Sequence, residues 1–314
     1  MHLLVTGTNG FIGTALVARL LRDWPGLERL TALDLKAPAF TDPRVVSMPG
    51  DITDPALLAR AFAEPVDVVF HLASVPGGAT ERDPALGYRV NVAATAALLQ
   101  HAAASNARFV FASSIATLGA SLPDIVDDST PLRPTMSYGA HKQIGEILLH
   151  DASRRGQVDG RGIRLPGIVM RPPAPAGLLS AFMSDLIRET AAGRRFVCPV
   201  SAGARLWLMS SQRIVDNLLH AAQMPDPGLQ VRNWTLPALL VTVAELVDAV
   251  GRQTGQDAAA LVEYQPDPAL EQAFGAYPLL STPASEALGF QHDGDAVALV
   301  ASALQADQER LAHA

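Results

Sequence analysis

Thr6-Gly7-Thr8-Asn9-Gly10-Phe11-Ile12-Gly13 (TGTNGFIG, residues 6–13) decides how the first half of the chain is read. It follows His2-Leu3-Leu4-Val5-Thr6, an apolar run that reads as a buried strand. It opens the stretch Phe11 to Arg22, whose apolar residues recur at helical spacing. Glycines at 7, 10 and 13 permit a tight strand-to-helix turn, close approach of a ligand to the backbone, and close helix–strand packing. The helix start then offers free N–H groups and the positive end of its dipole, a seat suited to phosphate. Taken alone, a glycine triplet also describes a plain tight turn, so the surrounding chain has to carry the decision.

Working outward, short apolar runs alternate with helix-like stretches. Strands are expected at Leu30–Asp34, Val45–Met48, Asp67–His71, Arg108–Ala112 and Gly162–Leu165. Helices are expected from Pro55, capped by Asp54, to about Phe62, then over Pro84–Ala104 and Ser137–Arg155. This β-α repetition predicts a doubly wound parallel (Rossmann) sheet with its functional loops along one edge, seven-stranded once the later return to the sheet is counted. The stretch Arg171-Pro172-Pro173-Ala174-Pro175 breaks the pattern. Beyond it the expected elements are a helix over Leu178–Ala192, a strand at Leu206–Met209, helices at Ser211–Gln223, Thr242–Thr254 and Asp295–Leu311, and a return to the main sheet near Val231–Leu236. The dinucleotide-binding domain is therefore expected over 1–170 plus about 210–236. A smaller C-terminal substrate-binding lobe takes 171–209 plus 237–314.

Composition narrows the function classes. With 314 residues, 49% apolar and 18% charged, the chain has ample material for a core. The net charge is −7 and the basic residues are scattered, which argues against a nucleic-acid surface. The N-terminus lacks a signal-peptide pattern and no apolar run has spanning length, so no membrane association is expected. The single cysteine, Cys198, excludes a disulfide framework and fits a reducing, cytoplasmic setting. The histidines are dispersed with no metal-ligand spacing, and no metal is expected.

Asp34 ends the second strand, where a carboxylate can accept from adenosine ribose hydroxyls and repel a 2′-phosphate, favouring NAD over NADP. Lys36 partly offsets that preference. Asp51 and Ile52 follow the third strand and are candidates for the adenine edge and face; a simple turn is the competing reading. Tyr138 and Lys142 lie four apart at the start of a helix and so share a face. A tyrosine ordinarily titrates near about 10 and needs a neighbouring cation to act as a base at neutral pH. Such a pair is common by chance, but here it follows a strand ending in Ser113-Ser114. Ser114 is the expected partner for the substrate oxygen, with end-capping as the alternative. His141, inside the same motif, reads as a surface residue.

These segments together resemble the extended short-chain dehydrogenase/reductase family, which includes NAD-dependent epimerases and dehydratases. The residues that carry the resemblance are TGTNGFIG at 6–13, Asp34, GDI at 50–52, HLAS at 71–74, RVN at 89–91, SSIATLG at 113–119 and YGAHK at 138–142. The resemblance implies NAD as cofactor and Ser114, Tyr138 and Lys142 as the catalytic set. It places Gly7, Asn9, Gly10, Phe11, Ile12, Gly13, Leu72, Ala73, Ser74, Asn91, Pro166 and Ile168 against the cofactor. The segments SYGAHKQIGEILLHDASRRG and LIRETAAGRRFVCPV are similar to a branch acting on sugar acids, which implies oxidation of a D-erythronate-like substrate at its C2 hydroxyl. Ser74, Ser114, Tyr138, Arg171 and Arg188 are then substrate candidates, the arginines because a guanidinium grips a carboxylate with two hydrogen bonds. The segment LPGIVMRPPAPAGLLSAF departs from that branch, with Gly167 and an apolar run where a more polar stretch is expected. The resemblance also implies a homodimer built on the helix that carries Tyr138. A nucleotide-sugar 4-epimerase or dehydratase with tightly held NAD is the alternative, and a non-catalytic dinucleotide sensor the remote one.

Overall fold

The apolar runs of the first half line up side by side in one parallel sheet. Its strands are β1 (His2–Thr6), β2 (Arg29–Asp34), β3 (Val45–Pro49), β4 (Val68–His71), β5 (Arg108–Ser114), β6 (Asp159–Leu165) and β7 (Asn233–Thr235). Their order is β7-β6-β5-β4-β1-β2-β3, with every pairing parallel. The computed structural model describes residues 1–38, 40–173, 179–228 and 230–312.

Every residue of β1 and β4 is buried, as strands covered on both faces require. Leu4, Leu33, Leu57, Val69, Leu98, Phe109, Phe111 and Leu149 join in one core cluster. Each large side chain in it contributes roughly 1.5–3 kcal/mol by leaving water. The chain order reverses between β1 and β4, so the loops that leave these two strands diverge and open a crevice at the strands' carboxyl ends.

Local chemistry sets the helix boundaries. Asp54 accepts from the Ala56 amide, and Pro55 begins the Pro55–Ala61 helix. The single helix expected over 84–104 is instead a series: Pro84–Tyr88, a π turn at Arg89–Ala93, Ala94–Ala102, and a 3-10 turn to Ser105. Asp83 caps its start through the Leu86 amide. An additional short helix, Gly77–Arg82, precedes it.

The described chain divides into two units. The first comprises 1–119, 131–165 and 217–235; the second comprises 120–130, 166–216 and 236–314. Residues 120–130, 166–170 and 210–216 thus group with the second unit. That unit contains a three-stranded sheet in which Arg205–Ser210 pairs parallel with Gly167–Val169 and antiparallel with Leu239–Thr242. Phe196–Cys198 pairs with Val262–Tyr264, and Ile125–Val126 with Leu279–Leu280. Its core includes Leu186, Leu206, Leu208, Leu246, Val250 and Leu299. The Val243–Thr254 helix starts with a full capping box between Thr242 and Glu245. The helix expected from Leu178 begins outside the described residues; after a 3-10 turn at Leu179–Ala181 it runs Phe182–Ala191. Among the described residues no helix is long and apolar enough to cross a membrane, and no group of three or more His, Cys, Asp or Glu is placed to hold a metal ion.

Candidate active site

The glycine loop is set by close backbone contacts. Gly7 has φ +76°, donates to the Leu33 carbonyl at 2.9 Å, and accepts from Gly10 at 3.0 Å. A Cβ on Gly13 would lie 2.0 Å from the Gly7 carbonyl oxygen, and one on Gly7 2.8 Å from the Ala73 amide nitrogen. Only glycine fits at these two positions. Gly10 is the N-cap of the Phe11–Asp23 helix and no side chain caps it, so the first-turn amides of Phe11 and Ile12 are left for an anion. Asp34 accepts from the Asn9 amide through Oδ2 at 2.9 Å, and the Asn9 side chain holds the Lys36 carbonyl at 2.8 Å. Asn9 therefore aims the carboxylate, whose second oxygen is available to a ribose. Asp51 is exposed and accepts from the Thr53 amide, while the Ile52 side chain belongs to the core cluster. The loop, its uncapped helix start and the aimed carboxylate fit a dinucleotide.

A buried relay braces this loop against the next one. The Thr95 hydroxyl donates to the Asn91 carbonyl at 2.9 Å, so it accepts the Nε2–H of His71 at 2.8 Å. His71 Nδ1 then accepts from the Thr6 hydroxyl at 2.8 Å, whose oxygen accepts from the amides of Leu72 and Ala73. Burial, reinforced by the Lys142 charge, drives the His71 imidazole down to about 3, so it stays neutral as this pattern requires. Asn91, in the π turn, clamps the Val75 backbone with both side-chain groups, at 2.7 and 3.0 Å. Its part is to shape the loop that carries the half-buried Leu72, Ala73 and Ser74.

The proton-transfer candidates meet at the start of the Ser137–Arg154 helix. A Cβ on Gly139 would sit 2.2 Å from the Ala116 carbonyl oxygen, so glycine after Tyr138 lets the turn behind Ser114 press against this helix. Ser114 accepts from the Ala116 amide at 3.1 Å, so it is an end cap as well as a catalytic candidate. Lys142 is 3% exposed; its Nζ donates to the Ala112 carbonyl at 2.8 Å and lies 5.6 Å from the Tyr138 ring centroid. Burial lowers the Lys142 ammonium to about 8, against the raising effect of Glu146. Glu81 accepts from the Ser137 amide at 2.6 Å and holds the helix start.

One finding alters the sequence reading, and two add to it. His141 is buried rather than on the surface: its ring packs edge-on against Tyr88, 6.2 Å between centroids, because the preceding short helix covers it. Arg188 is engaged inside the second unit, pairing with Asp185 at 2.6 Å, lying 3.9 Å from Asp307, and donating to the Arg171 carbonyl. Pro166, Ile168 and Arg171 also belong to the second unit, where the Arg171 amide donates to Ser184 Oγ at 3.0 Å. Sequence reasoning missed Glu146 and Arg164, which lie within the first unit; the Tyr138-Lys142-Glu146 spacing on one helix was the available signal.

Residues 3–234 match the model of the NAD dependent epimerase/dehydratase family. The chain is 40% identical over 306 residues to D-erythronate dehydrogenase of Cupriavidus necator, covering 93% of this chain and 94% of that protein. It is 34% identical to D-erythronate dehydrogenase of Haemophilus influenzae, over 94% of this chain and 96% of that one. Among solved structures, a nucleoside-diphosphate-sugar epimerase from Agrobacterium tumefaciens superposes with a TM-score of 0.88 at 34% identity, covering 96% of this chain and 92% of that one. The glycine loop, the aimed Asp34 and the buried Lys142 beside Tyr138 are thus the parts of a chain that belongs to the NAD-dependent epimerase/dehydratase family, with NAD as its cofactor.

Proposed function

We propose that this protein is an NAD-dependent dehydrogenase that oxidises the C2 hydroxyl of a small sugar acid, D-erythronate or a close relative. The observation that carries the reading is 40% identity to a D-erythronate dehydrogenase across almost the whole of both chains.

Bound NAD would supply the acceptor for the C2 hydride. The protein supplies the proton path and the positioning. Tyr138, as the phenolate, takes the proton of the C2 hydroxyl. Lys142 holds a buried positive charge beside the Tyr138 ring, which favours the phenolate. The Ser114 hydroxyl donates to the substrate oxygen as its carbonyl character grows. Phe11 and Ile12 amides bind the pyrophosphate, and Asp34 selects a ribose without a 2′-phosphate. Ser74, Arg171 and Arg188 are the further substrate contacts in this reading, an arginine being suited to the carboxylate.

The test is a screen of four- to six-carbon aldonates and uronates for NADH formation. D-Erythronate is expected to be among the best substrates, and no NADH with any of them would remove the reading. A second reading, a nucleotide-sugar epimerase, is favoured by the 34% identity to the Agrobacterium protein of that name. It predicts NAD retained through purification and nucleotide-sugar turnover with no net reduction. We also infer a homodimer through the Ser137–Arg154 helix, on whose surface Ile144 and Ile147 are exposed. Ile147→Glu is expected to yield monomers in sedimentation. A reducing cytoplasmic setting fits the lone buried thiol of Cys198.

A further inference from the structure

A polar trio is built on Glu146, one helical turn past Lys142. Ser113, at the end of β5, donates its hydroxyl to Glu146 Oε1 at 2.5 Å. Arg164, near the end of β6, grips the same carboxylate at both oxygens, Nε to Oε1 at 2.9 Å and Nη2 to Oε2 at 2.7 Å. Arg164 also reaches Thr235 Oγ1 on β7 at 3.4 Å, and the Asn233 side chain reaches the Glu146 carbonyl at 3.3 Å. The Glu146 carboxylate, 3% exposed and one turn past Lys142, thereby ties β5 and β6 to the catalytic helix, and Arg164 and the Glu146 carbonyl extend the tie to β7. Here its hydroxyl partner is the residue next to Ser114, and its helix neighbour at four residues is Lys142.

We propose that Glu146 is a positioning residue of this active site: locked by Arg164 and Ser113, it sets the strand-end serine against the Tyr138 helix and provides the counter-charge of buried Lys142. The inference rests on the reading of Tyr138 and Lys142 as the proton-transfer pair. The helix of Lys142 itself carries Tyr138, His141 and Glu146. Among the described residues, the elements packed against this helix bring further titratable groups, including Arg82 and Tyr88 from the two short helices before the π turn. The β4 strand brings the neutral His71 and β6 brings Arg164. The Gly77–Arg82 helix brings Glu81 at the helix start, and the π turn carries the exposed Arg89. Among them Glu146 is the buried anion. Neutralising it removes the attraction that favours the ammonium and leaves Arg164 uncompensated, so Lys142 gives up its proton at lower pH.

The chain has two lysines, the exposed Lys36 and the buried Lys142, so an NMR titration of 13C-lysine-labelled protein reads Lys142 directly. In the unmodified protein its midpoint is expected at about 8. In Glu146→Gln the midpoint is expected about one pH unit lower, and the alkaline limb of kcat moves down with it. Turnover of that variant is expected to fall about 10–100-fold, as misplacement of a reacting group does. Ser113→Ala, which removes one hydrogen bond and no charge, is expected to leave the midpoint in place and lower kcat about three- to tenfold. A folded Glu146→Gln protein with an unmoved Lys142 midpoint overturns the proposal, and so does Ser113→Ala with unaltered kcat. If Glu146→Gln fails to fold, Ser113→Ala decides. The titration uses no sugar acid, so a failed substrate assignment shows up separately, as absent NADH formation by the unmodified enzyme.

Discussion

The two ends of the main sheet each bury charge, and they use it in opposite ways. At the amino end, Asp159 at the start of β6 is held by Arg161 at 2.7 Å, Arg108 at 2.9 Å and Arg232 at 2.8 Å. Arg161 is fully buried and also donates to the carbonyls of Ala221 and Met224 at 2.9 and 2.6 Å. At the carboxyl end the buried cation is Lys142, with one carbonyl as its hydrogen-bond acceptor. A guanidinium keeps its charge when buried and fills a planar set of acceptors, which makes a permanent clasp. An ammonium responds to burial by releasing its proton more easily, and that response is useful only where a proton has to move. Of 24 basic residues only Lys36 and Lys142 are lysines, and one of them stands at the reactive end.

The contrast can be broken from either side. The largest expected effect is at the reactive end. Tyr138→Phe should lower kcat by about 10³-fold or more, while NADH affinity measured by fluorescence stays within about threefold. At the clasp end, Arg161→Met takes one of three guanidinium partners from Asp159 and leaves two buried carbonyls without their donor, and should cost about 3–5 kcal/mol in denaturant unfolding with little change in kcat at low temperature. Lys142→Arg keeps the charge but replaces the compact ammonium. It should cost about 10²-fold in kcat while unfolding stability changes by less than about 1 kcal/mol.

The smallest effect is in pH. Burial works against ionisation of Asp159, yet Arg161 and Arg108 hold its carboxyl below the usual range. Its contribution to stability is therefore present above the unfolded carboxylate pKa and is lost as pH falls through the lower folded value. Thermal unfolding measured across that acid window should show the slope in the unmodified protein and a shallower one in Asp159→Asn.

What was legible in the sequence was local. TGTNGFIG needs its glycines because backbone atoms meet at Gly7 and Gly13, and that requirement is written in consecutive residues. Tyr138 and Lys142 are one helical turn apart, so their shared face can be read from spacing. The Asp54-Pro55 start is legible for the same reason. Ser113, Glu146 and Arg164 come from three elements, and nothing in any one segment announces the others. His141 seemed exposed because the helix alone was considered, whereas a packed neighbour covers it. The paired strands of two or three residues in the second unit carry too few residues for a period to show. The ion pairs of Arg188 with Asp185 and Asp307 are tertiary or i,i+3 contacts that the sequence pattern does not announce.

The most direct measurement is NADH formation by the unmodified enzyme and by Tyr138→Phe with D-erythronate as substrate. The account predicts steady NADH production that disappears in the variant while NADH binding persists. Wild-type rates in Tyr138→Phe, or no NADH alongside turnover of a nucleotide sugar, would contradict it.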